Sequence, residues 1–487
     1  METRLPKSWT SGFVTNARLH ILQVSTADIA GGAERVAWSL CHAYRERGHY
    51  SWLAVGYKLS SDPAVLLLRN GQSRTFCETI CHRLRSGLQP FEDRVRGIWR
   101  IREGLNKWAN PRYEIERRLG IEDFNYPATH CLLELPPKKP DILHCHNLHG
   151  SYFDLRALPA LSVRIPTILT LHDAWLLSGH CAHSFACERW KTGCGECPDL
   201  SIYPAIRRDA TAYNWRRKRF IYSNSQLYVA TPSQWLMQRV AQSMLAPAIV
   251  EGRVIPNGVD LRVFRPSDRQ AVRAMLNVPQ DAKVLLFTAN GIRNNIWKDF
   301  QTMRAAITRV AERPHGQIVL LALGEDAPAE HLGHASIRFV PYQGDPLSVA
   351  RYYQAADIYL HSARADTFPT SVLEALACGT PVVATAVGGI PEQVKGLDTS
   401  DRGFANSHLK RYGMNEATGV LVSPGDAEEM AVAIEHLLED DSQRHHLGAN
   451  AAMDAAKRFD LQRQADEFLT WYQEIISTCS KGARRTK

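Results

Sequence analysis

Short apolar runs alternate along the first half of the chain with longer segments in which apolar residues recur every three or four positions. The first run, 18–24, is followed by a turn-rich loop and by a helical pattern that places Val36, Leu40 and Tyr44 on one face. Gly48 stands where the end of this helix favours a left-handed residue. Later apolar runs in this half predict strands at 141–145, 167–171 and 226–230. Strands that alternate with helices in this way favour a parallel sheet.

The same alternation starts again after residue 260. The apolar runs that predict strands in this second half are 283–288, 317–322, 337–340, 357–360 and 381–384. The pattern predicts an α/β protein of two Rossmann-like, doubly wound parallel-sheet domains that face a central cleft. The predicted boundaries are an N-terminal extension at 1–17, a first domain at 18–255, a second domain at 256–459, and a last helix with a basic tail at 460–487. We expect the last helix to cross back to the first domain.

The length and composition agree with this division. A chain of 487 residues is too long for one compact core, and about two to three domains are expected. Apolar residues make up 45% of the chain and charged residues 22%, which excludes disordered, collagen-like and small disulfide-rich classes. No run approaches the roughly 18 apolar residues of a membrane-spanning helix, and the first residues lack a hydrophobic signal core. A cytoplasmic location is therefore predicted.

The net charge is +8, from 58 basic and 50 acidic residues. This excess is too small to indicate nucleic-acid binding, but it suits a protein that binds anionic ligands or contacts an acidic membrane surface. A helical insertion at about 74–120 contains eleven basic and six acidic residues together with tryptophans, and another basic cluster lies at 214–220. Basic amphipathic helices with tryptophan predict a peripheral membrane contact; the alternative is an ordinary solvated helix pair.

Ligands of open α/β sheets bind at the carboxyl ends of the strands, so the loops there form the candidate site. Asp366 lies in such a loop, and a helix is predicted to begin near Ser371. The amides and dipole of a helix N-terminus favour an anion, and Glu374, one turn further, can accept hydrogen bonds from vicinal hydroxyls. The alternative is structural, because Ser371 and Glu374 have the S-x-x-E spacing of a capping box.

Two further loops have a composition that suits phosphate. Arg293 and Lys298 lie five residues apart after a predicted strand, where they could converge on two phosphates; alternatively they are solvated surface charges. Gly31 and Gly32 precede the first helix and allow close approach of the backbone to a ligand. This loop is not G-x-G-x-x-G, and no acidic residue follows where nicotinamide cofactors require one, which argues against a dehydrogenase.

These three regions, in this order and spacing, resemble the retaining GT-B glycosyltransferases of the family called GT4. The family signature of an acidic residue, seven others, a glutamate and then A-x-A-C-G-x-P-V-V matches residues 366–383. Its Arg and Lys match Arg293 and Lys298, its domain linker matches 256–260, and its following loop matches 388–392. The likeness covers nearly the whole chain and therefore implies the GT-B fold.

The resemblance also implies roles for individual residues. The implied donor-binding residues are Arg293, Lys298, Glu374, Ser371, Tyr342 and Gly388. Asp366, which stands where the family usually has Glu, is implied to contact the donor sugar, and His172 to lie near the anomeric carbon. Gly31 and Gly32 form the N-domain loop of the same cleft, and the alternative for His172 is a structural residue at a strand end. A further group of secondary cleft residues is His144, His146 and His149.

The implied activity is transfer of a sugar from a UDP- or GDP-linked donor to a hydroxyl of a growing, lipid-linked glycan in polysaccharide biosynthesis, with retention of configuration. No catalytic metal or other cofactor is implied, since basic side chains and helix dipoles take the place of magnesium. The implied partners are the donor, the glycan acceptor and the inner membrane surface. Two alternatives stay open: a nucleotide-sugar 2-epimerase of the same fold and a catalytically silent nucleotide-binding scaffold.

Four of the eleven cysteines lie close together with the spacing C-x5-C-x6-C-x2-C. They are Cys181, Cys187, Cys194 and Cys197. The tight last pair is typical of a structural zinc site, whereas the alternative is a cysteine-rich loop without metal or with a labile disulfide. The chain is similar here to a subset of GT4-like proteins from bacterial polysaccharide pathways. That resemblance implies that the loop at 180–198 shapes the acceptor side of the cleft.

Overall fold

The structure, a computed structural model, describes residues 18–29, 31–70, 111–313, 316–399 and 409–485. The expected extension at 1–17 and most of the expected insertion at 74–120 lie outside these residues. The membrane contact predicted for that insertion therefore falls mainly on residues that the structure does not describe.

Seven described strands form a parallel sheet in the first domain. They are β1 (His20–Ala27), β2 (Tyr50–Tyr57), β3 (Val65–Leu67), β4 (Ile142–Cys145), β5 (Thr167–Thr170), β6 (Leu227–Thr231) and β7 (Ile249–Val254). Their order across the sheet is β3-β2-β1-β4-β5-β6-β7. The order changes direction between β1 and β4, and at such a point the loops diverge and leave room for a ligand.

Helices cover both faces of this sheet. They are α1 (Gly32–Glu46), α2 (Pro111–Arg118), α3 (Leu158–Arg164), α4 (Thr211–Ser223) and α5 (Gln234–Ala241), with 3-10 helices at Pro127–Glu134, Leu155–Ala157, Trp175–Leu177, Arg189–Lys191 and Ala246–Ala248. Val36, Leu40 and Tyr44 of α1 are buried, as the apolar spacing requires. The central strands β1, β2, β4, β5 and β6 are largely buried on both sides, which is why they appear in the sequence as continuous apolar runs.

The second domain has a sheet of the same plan. Its strands are β8 (Lys283–Thr288), β9 (Ile318–Leu323), β10 (Glu330–Leu332), β11 (Ala335–Val340), β12 (Ile358–His361), β13 (Val382–Thr385) and β14 (Gly419–Val422). The order is β10-β11-β9-β8-β12-β13-β14, and the edge strand β10 pairs antiparallel with β11. The order changes direction between β8 and β12.

The helices of the second domain complete a doubly wound α/β unit. They are α6 (Arg269–Met275), α7 (Phe300–Val310), α8 (Pro346–Ala355), α9 (Thr370–Ala377), α10 (Ile390–Gln393), α11 (Ala427–Glu439) and α12 (Asp441–Arg458). The predicted fold class, two Rossmann-like domains with parallel sheets, is confirmed. Only the short β10 hairpin at the sheet edge departs from the parallel pattern among the described strands.

The last helix, α13 (Leu461–Arg485), packs on the first domain although it follows the second. Phe468, Trp471 and Tyr472 are buried in one core cluster with residues of α1 and of the first sheet. The hydroxyl of Tyr472 lies 3.1 Å from that of Tyr44. Because burial of such a side chain contributes roughly 1.5–3 kcal/mol, this helix is a substantial link between the domains. Within the described ranges, no helix combines the length and apolar character that a membrane crossing requires.

Candidate active site

Two cavities adjoin in the cleft between the domains, with volumes of about 780 and 410 Å³. Thr370, at the start of α9, lines both of them. The larger cavity contains Tyr342 and Glu374 among the predicted site residues. The predicted residues that line the smaller cavity are Gly32, His149, His172, Lys298, Asp366 and Ser371. The structure thus brings together most of the residues that the sequence singled out.

Helix α9 begins one residue earlier than the sequence indicated. Its N-cap is Pro369, whose side chain makes no capping hydrogen bond, and Ser371 lies inside the helix. The carboxylate of Glu374 instead accepts a hydrogen bond from the hydroxyl of Tyr353, at 2.8 Å. The alternative capping box is therefore not formed. The first turn of α9 carries no side-chain cap, and it faces both cavities, where its amides favour an anion.

Lys298 and Asp366 form an ion pair at the floor of the smaller cavity, with 2.5 Å between Nζ and Oδ2. His361, fully buried at the end of β12, contacts both of them: its Nε2 lies 3.3 Å from Nζ and 3.4 Å from Oδ2. Burial opposes ionisation of Asp366, yet Lys298 and His361 hold its pKa well below the usual range. Burial and the nearby ammonium lower the pKa of His361 to about 4, so its imidazole is neutral.

A buried chain of hydrogen bonds connects this ion pair with Glu374. Nδ1 of His361 lies 3.1 Å from the hydroxyl of Tyr359, which lies 3.0 Å from Oγ1 of Thr288. Thr288 in turn lies 3.3 Å from the hydroxyl of Tyr353, the donor to Glu374. The four linking residues come from β8, α8 and β12. Sequence reasoning missed all four, because each is a single polar residue within or beside an apolar segment.

Gly388 supports the Asp366 loop by close backbone contact. Its φ is +58°, and a Cβ atom there would lie 1.7 Å from the carbonyl oxygen of Asp366. A side chain at this position would displace the loop. Its structural role is thus clear, and its predicted contact with a donor stays a prediction.

Arg293 is held away from Lys298. Its Nε lies 2.6 Å from Oε1 of Glu325, and the other carboxylate oxygen accepts hydrogen bonds from the amides of Ile292 and Arg293. The side chain lines a separate surface groove with Arg304. The expected convergence of Arg293 and Lys298 is not present in this structure, because Glu325, in the loop after β9, binds the guanidinium. Its role as a diphosphate ligand stays a prediction.

His172 lies across the cleft from this second-domain loop. Its Nε2 lies 3.0 Å from Nδ1 of His146, whose Nε2 lies 3.0 Å from the amide oxygen of Gln23. Burial lowers the pKa of His172 to about 4, so its ring is neutral. Its carbonyl oxygen accepts a hydrogen bond from Oγ1 of Thr367, at 2.5 Å, which joins the two domains beside Asp366.

The three secondary histidines have different positions. His144 is fully buried, with its ring nitrogens 2.6 Å from the hydroxyls of Tyr472 and Thr170, and it does not line either cavity. His146 supports His172, as described above. His149 lines the smaller cavity, where its Nε2 lies 2.6 Å from Oδ2 of Asp173. The cluster therefore divides into a packing residue, a supporting residue and a cleft residue.

The N-domain glycine loop approaches the start of α9. A Cβ atom on Gly32 would lie 3.8 Å from Oγ1 of Thr370, an ordinary contact, so steric demand there is small. One turn into α1, Nη2 of Arg35 lies 2.9 Å from the hydroxyl of Tyr342 across the larger cavity. Arg35 also lowers the pKa of Glu374, although burial of that carboxyl is stronger and raises it overall. Arg35 belongs to none of the motifs that the sequence offered.

The cysteine-rich loop lies beside the same cleft. Phe185 of this loop stacks on Trp297, next to Lys298, with ring centroids 5.3 Å apart and nearly parallel planes. Cys181, Cys187, Cys194 and Cys197 are all free thiols, and burial raises the pKa of Cys194 to about 12. Among the residues that the structure describes, no three His, Cys, Asp or Glu side chains are arranged to hold a metal ion. The structural zinc stays a prediction.

Comparison with known proteins gives matches for both domains. The family model described as Glycosyltransferase Family 4 matches residues 30–263, and the model described as Glycosyl transferases group 1 matches residues 282–440. The chain is 31% identical over 241 residues to a D-inositol 3-phosphate glycosyltransferase of Mycobacterium marinum, which covers 48% of this chain and 47% of the relative. The enzyme of the same name from Mycobacterium tuberculosis is 31% identical over 238 residues, or 46% and 44% of the two chains. The chain thus spans about half the length of these curated relatives.

Solved structures are similar over nearly the full length. Sucrose-phosphate synthase from Thermosynechococcus elongatus has a TM-score of 0.57 and 17% identity, covering 95% of this chain and all of that one. Anabaena Alr3699/HepE in complex with UDP and glucose has a TM-score of 0.55 and 17% identity, with the same coverage. WaaG, a glycosyltransferase involved in lipopolysaccharide biosynthesis, has a TM-score of 0.52 and 16% identity, covering 92% and 98%. At these identities the likeness establishes the fold.

Proposed function

This chain belongs to the GT4 family of GT-B glycosyltransferases, and we propose that it transfers a sugar from a nucleotide-sugar donor to a hydroxyl of a growing, lipid-linked glycan. The observation that carries the proposal is the connected network of Lys298, Asp366 and Glu374 beneath the uncapped start of α9. An ammonium and helix amides suit a diphosphate, and a carboxylate suits the ribose hydroxyls. UDP is the first nucleotide to test, since Anabaena Alr3699/HepE is a complex with UDP and glucose.

The proposed reaction retains the anomeric configuration. The acceptor oxygen forms a bond to the anomeric carbon on the face from which the diphosphate leaves, and the bond from that carbon to the phosphate oxygen breaks. The acceptor proton passes to the leaving phosphate oxygen, so the products are the glycosylated acceptor and a nucleoside diphosphate. Lys298 and the amides of α9 stabilise the leaving charge, Asp366 orients the donor sugar, and His172, which lines the same cavity, lies beside the reacting centre. We propose that no divalent cation takes part, so that EDTA leaves the rate unchanged.

The experiment that tests the activity is a panel of UDP-, GDP- and other nucleotide sugars, scored by thermal shift and by donor hydrolysis without acceptor. We expect one donor to be bound and slowly hydrolysed, and product analysis with an acceptor to give the retained anomer. A protein that binds the nucleotide but consumes no donor would be a silent scaffold. Release of a 2-epimer in place of a free sugar would indicate the epimerase.

The lipid-linked acceptor and the membrane contact are supported by the surface of α4. Arg216, Arg219 and Phe220 are exposed on this helix, while Trp215 and Lys218 are buried. Exposed basic and aromatic side chains suit the surface of a membrane that contains anionic lipids. We expect sedimentation with vesicles that contain phosphatidylglycerol, weakened by salt and by the double change Arg216→Glu and Arg219→Glu. Equal binding by that variant would remove α4 from the membrane contact.

A further inference from the structure

The first-domain wall of the smaller cavity carries two carboxylates around one imidazole. Glu34 lies in the first turn of α1, and its carboxylate folds over Gly31, where a Cβ atom would lie 2.5 Å from Oε2. His149 follows β4, and its Nε2 lies 2.6 Å from Oδ2 of Asp173, which follows β5. The three side chains therefore come from the carboxyl ends of the neighbouring strands β1, β4 and β5, beside the change in strand order.

Surrounding groups fix the pair of His149 and Asp173. The second oxygen of Asp173 accepts a hydrogen bond from the amide of Trp175, at 2.9 Å. The ring of His149 packs edge-on against those of Trp175 and Tyr203, with centroids 5.6 Å apart in each case. Because these contacts occupy both oxygens of Asp173, Glu34 is the carboxylate of this group that lines the cavity and can meet a ligand.

The charge of this wall is unsuited to an anion. Among the described residues, the first domain lines this cavity without any lysine or arginine. The lysine of the cavity, Lys298, belongs to the opposite wall, where the proposed function assigns it to the donor diphosphate. His149, when protonated, is bound to Asp173. A phosphate group on an acceptor would therefore face Glu34 without a free cation to pair with it, and like charges in such a site oppose binding.

Resting on the proposed function, we propose that this wall is an acceptor subsite selective for an uncharged, hydroxyl-bearing sugar. Glu34 accepts hydrogen bonds from the acceptor hydroxyls and excludes phosphorylated polyols by its charge. Asp173 and His149 are positioning residues that shape the subsite around Glu34. This selectivity separates the chain from the mycobacterial relatives, whose name specifies D-inositol 3-phosphate.

The test compares acceptors that differ only in charge, with the full-length protein and the donor found in the nucleotide-sugar panel. The probes are methyl hexosides, the same hexosides carrying a 6-phosphate, and D-inositol 3-phosphate. Glu34→Gln removes the charge and keeps the size of the side chain. Glu467→Gln on α13, paired with Arg463 and lining neither cavity, is the matched control. Donor hydrolysis without acceptor reports on the donor side alone.

For the wild type, we expect kcat/KM for a neutral hexoside to be at least about tenfold higher than for the same hexoside with a 6-phosphate. In Glu34→Gln this ratio of kcat/KM values should fall by about tenfold, through a change in the KM for the acceptor. Glu467→Gln should leave both this ratio and the rate of donor hydrolysis within about twofold of the wild type. Equal use of the phosphorylated probes by the wild type, or an unchanged ratio in Glu34→Gln, would overturn the inference.

The outcomes separate this inference from the proposed function. If no nucleotide sugar is consumed, the proposed function fails; if donor is consumed and the phosphorylated probes are preferred, the acceptor inference alone fails. If neither hexoside is glycosylated, their binding is compared by saturation-transfer NMR in the presence of UDP. The ratio of the two binding signals is then judged as the ratio of kcat/KM values would be. Glu34→Gln must change that binding ratio if its charge sets the selectivity.

Discussion

The two walls of the cleft hold their charged groups in different ways. On the second-domain wall, Lys298, Asp366 and His361 contact one another and continue through hydroxyl groups to Glu374. This wall is one connected network, and members of such networks depend on each other. A substitution at one end is therefore expected to change the properties of the other.

On the first-domain wall the polar groups form separate pairs. His146 contacts His172, and His149 contacts Asp173, with Glu34 beside the second pair. A substitution here should act locally, on the acceptor side only. The two walls therefore differ in kind: one is coupled and contains a lysine, while the other is divided and acidic. We expect the proposed donor and acceptor binding to be separable by substitution for this reason.

The largest expected effect follows from Lys298→Ala. The change removes the ammonium from the smaller cavity and leaves Asp366 buried without its partner. We expect kcat/KM for the donor to fall by about 100-fold or more, together with a lower Tm. Adding Asp366→Asn should restore part of the Tm but not the activity. Lys283→Ala, which breaks a surface pair with Asp441, is the control and should leave both unchanged. Donor use within about twofold of the wild type in Lys298→Ala would show that this wall does not bind the diphosphate.

A smaller effect tests the connection within the same wall. Glu374→Ala should lower donor use at least about tenfold, and Tyr353→Phe, which removes one hydrogen bond to Glu374, by about threefold. Because the two residues act together, the double variant should lose less than the product of the single losses. Strictly multiplicative losses in this cycle, measured as kcat/KM for the donor, would contradict a coupled network.

Much of the second-domain wall could be predicted from the sequence, because Asp366, Ser371 and Glu374 belong to one contiguous segment with a recognisable spacing. The residues that connect them through hydrogen bonds could not be predicted. Thr288 and Tyr359 lie on different strands, and they meet because β8 and β12 pair in parallel with Tyr359 opposite Leu286. That register depends on the tertiary structure and leaves no local pattern in the sequence.

Two differences between the sequence-based interpretations and the structure have equally physical causes. The capping box at Ser371 obeyed a local rule, but Pro369 takes the N-cap position and moves the start of α9. Arg293 was expected to turn toward the cleft, but Glu325 comes from a different loop and captures it. The spacing in the sequence shows which residues are near one another in the chain. Which of several carboxylates or ligands binds a given arginine depends on the folded structure. The acidic character of the first-domain wall was missed because Glu34 and Asp173 are far apart in the sequence and come together only in the fold.

The cysteine-rich loop allows a test of whether a bound metal ion also stabilises the first-domain wall. From the sequence spacing we propose that protein from a zinc-replete host carries about one metal equivalent, lost when Cys194 and Cys197 are changed to Ser. Cys479→Ser, on the exposed face of α13, is the control. Since Phe185 stacks on Trp297, loss of the metal should lower the Tm and weaken acceptor use more than donor hydrolysis. Well-folded, metal-free protein from such a host would dismiss the zinc.

The smallest expected effect is a pH dependence on the first-domain wall. Burial opposes protonation of His149, but Asp173 and Glu34 outweigh burial and Lys218, so the pKa of His149 is raised above its usual value of about 6.5. The hydroxyl of Tyr203 also faces this ring, 3.5 Å from Nδ1.

A raised pKa of His149 stabilises the folded protein fully below the pKa of the unfolded chain, and this stabilisation is lost as pH rises through the pKa of the folded protein. The Tm difference between the wild type and His149→Gln should therefore be largest near about pH 6 and shrink towards about pH 9. Changing Glu34 to Gln should shift that decline to lower pH, because it removes one of the two carboxylates that favour the imidazolium. A difference that grows with pH would mean that His149 is neutral in the folded protein and brings no positive charge to Glu34 and Asp173.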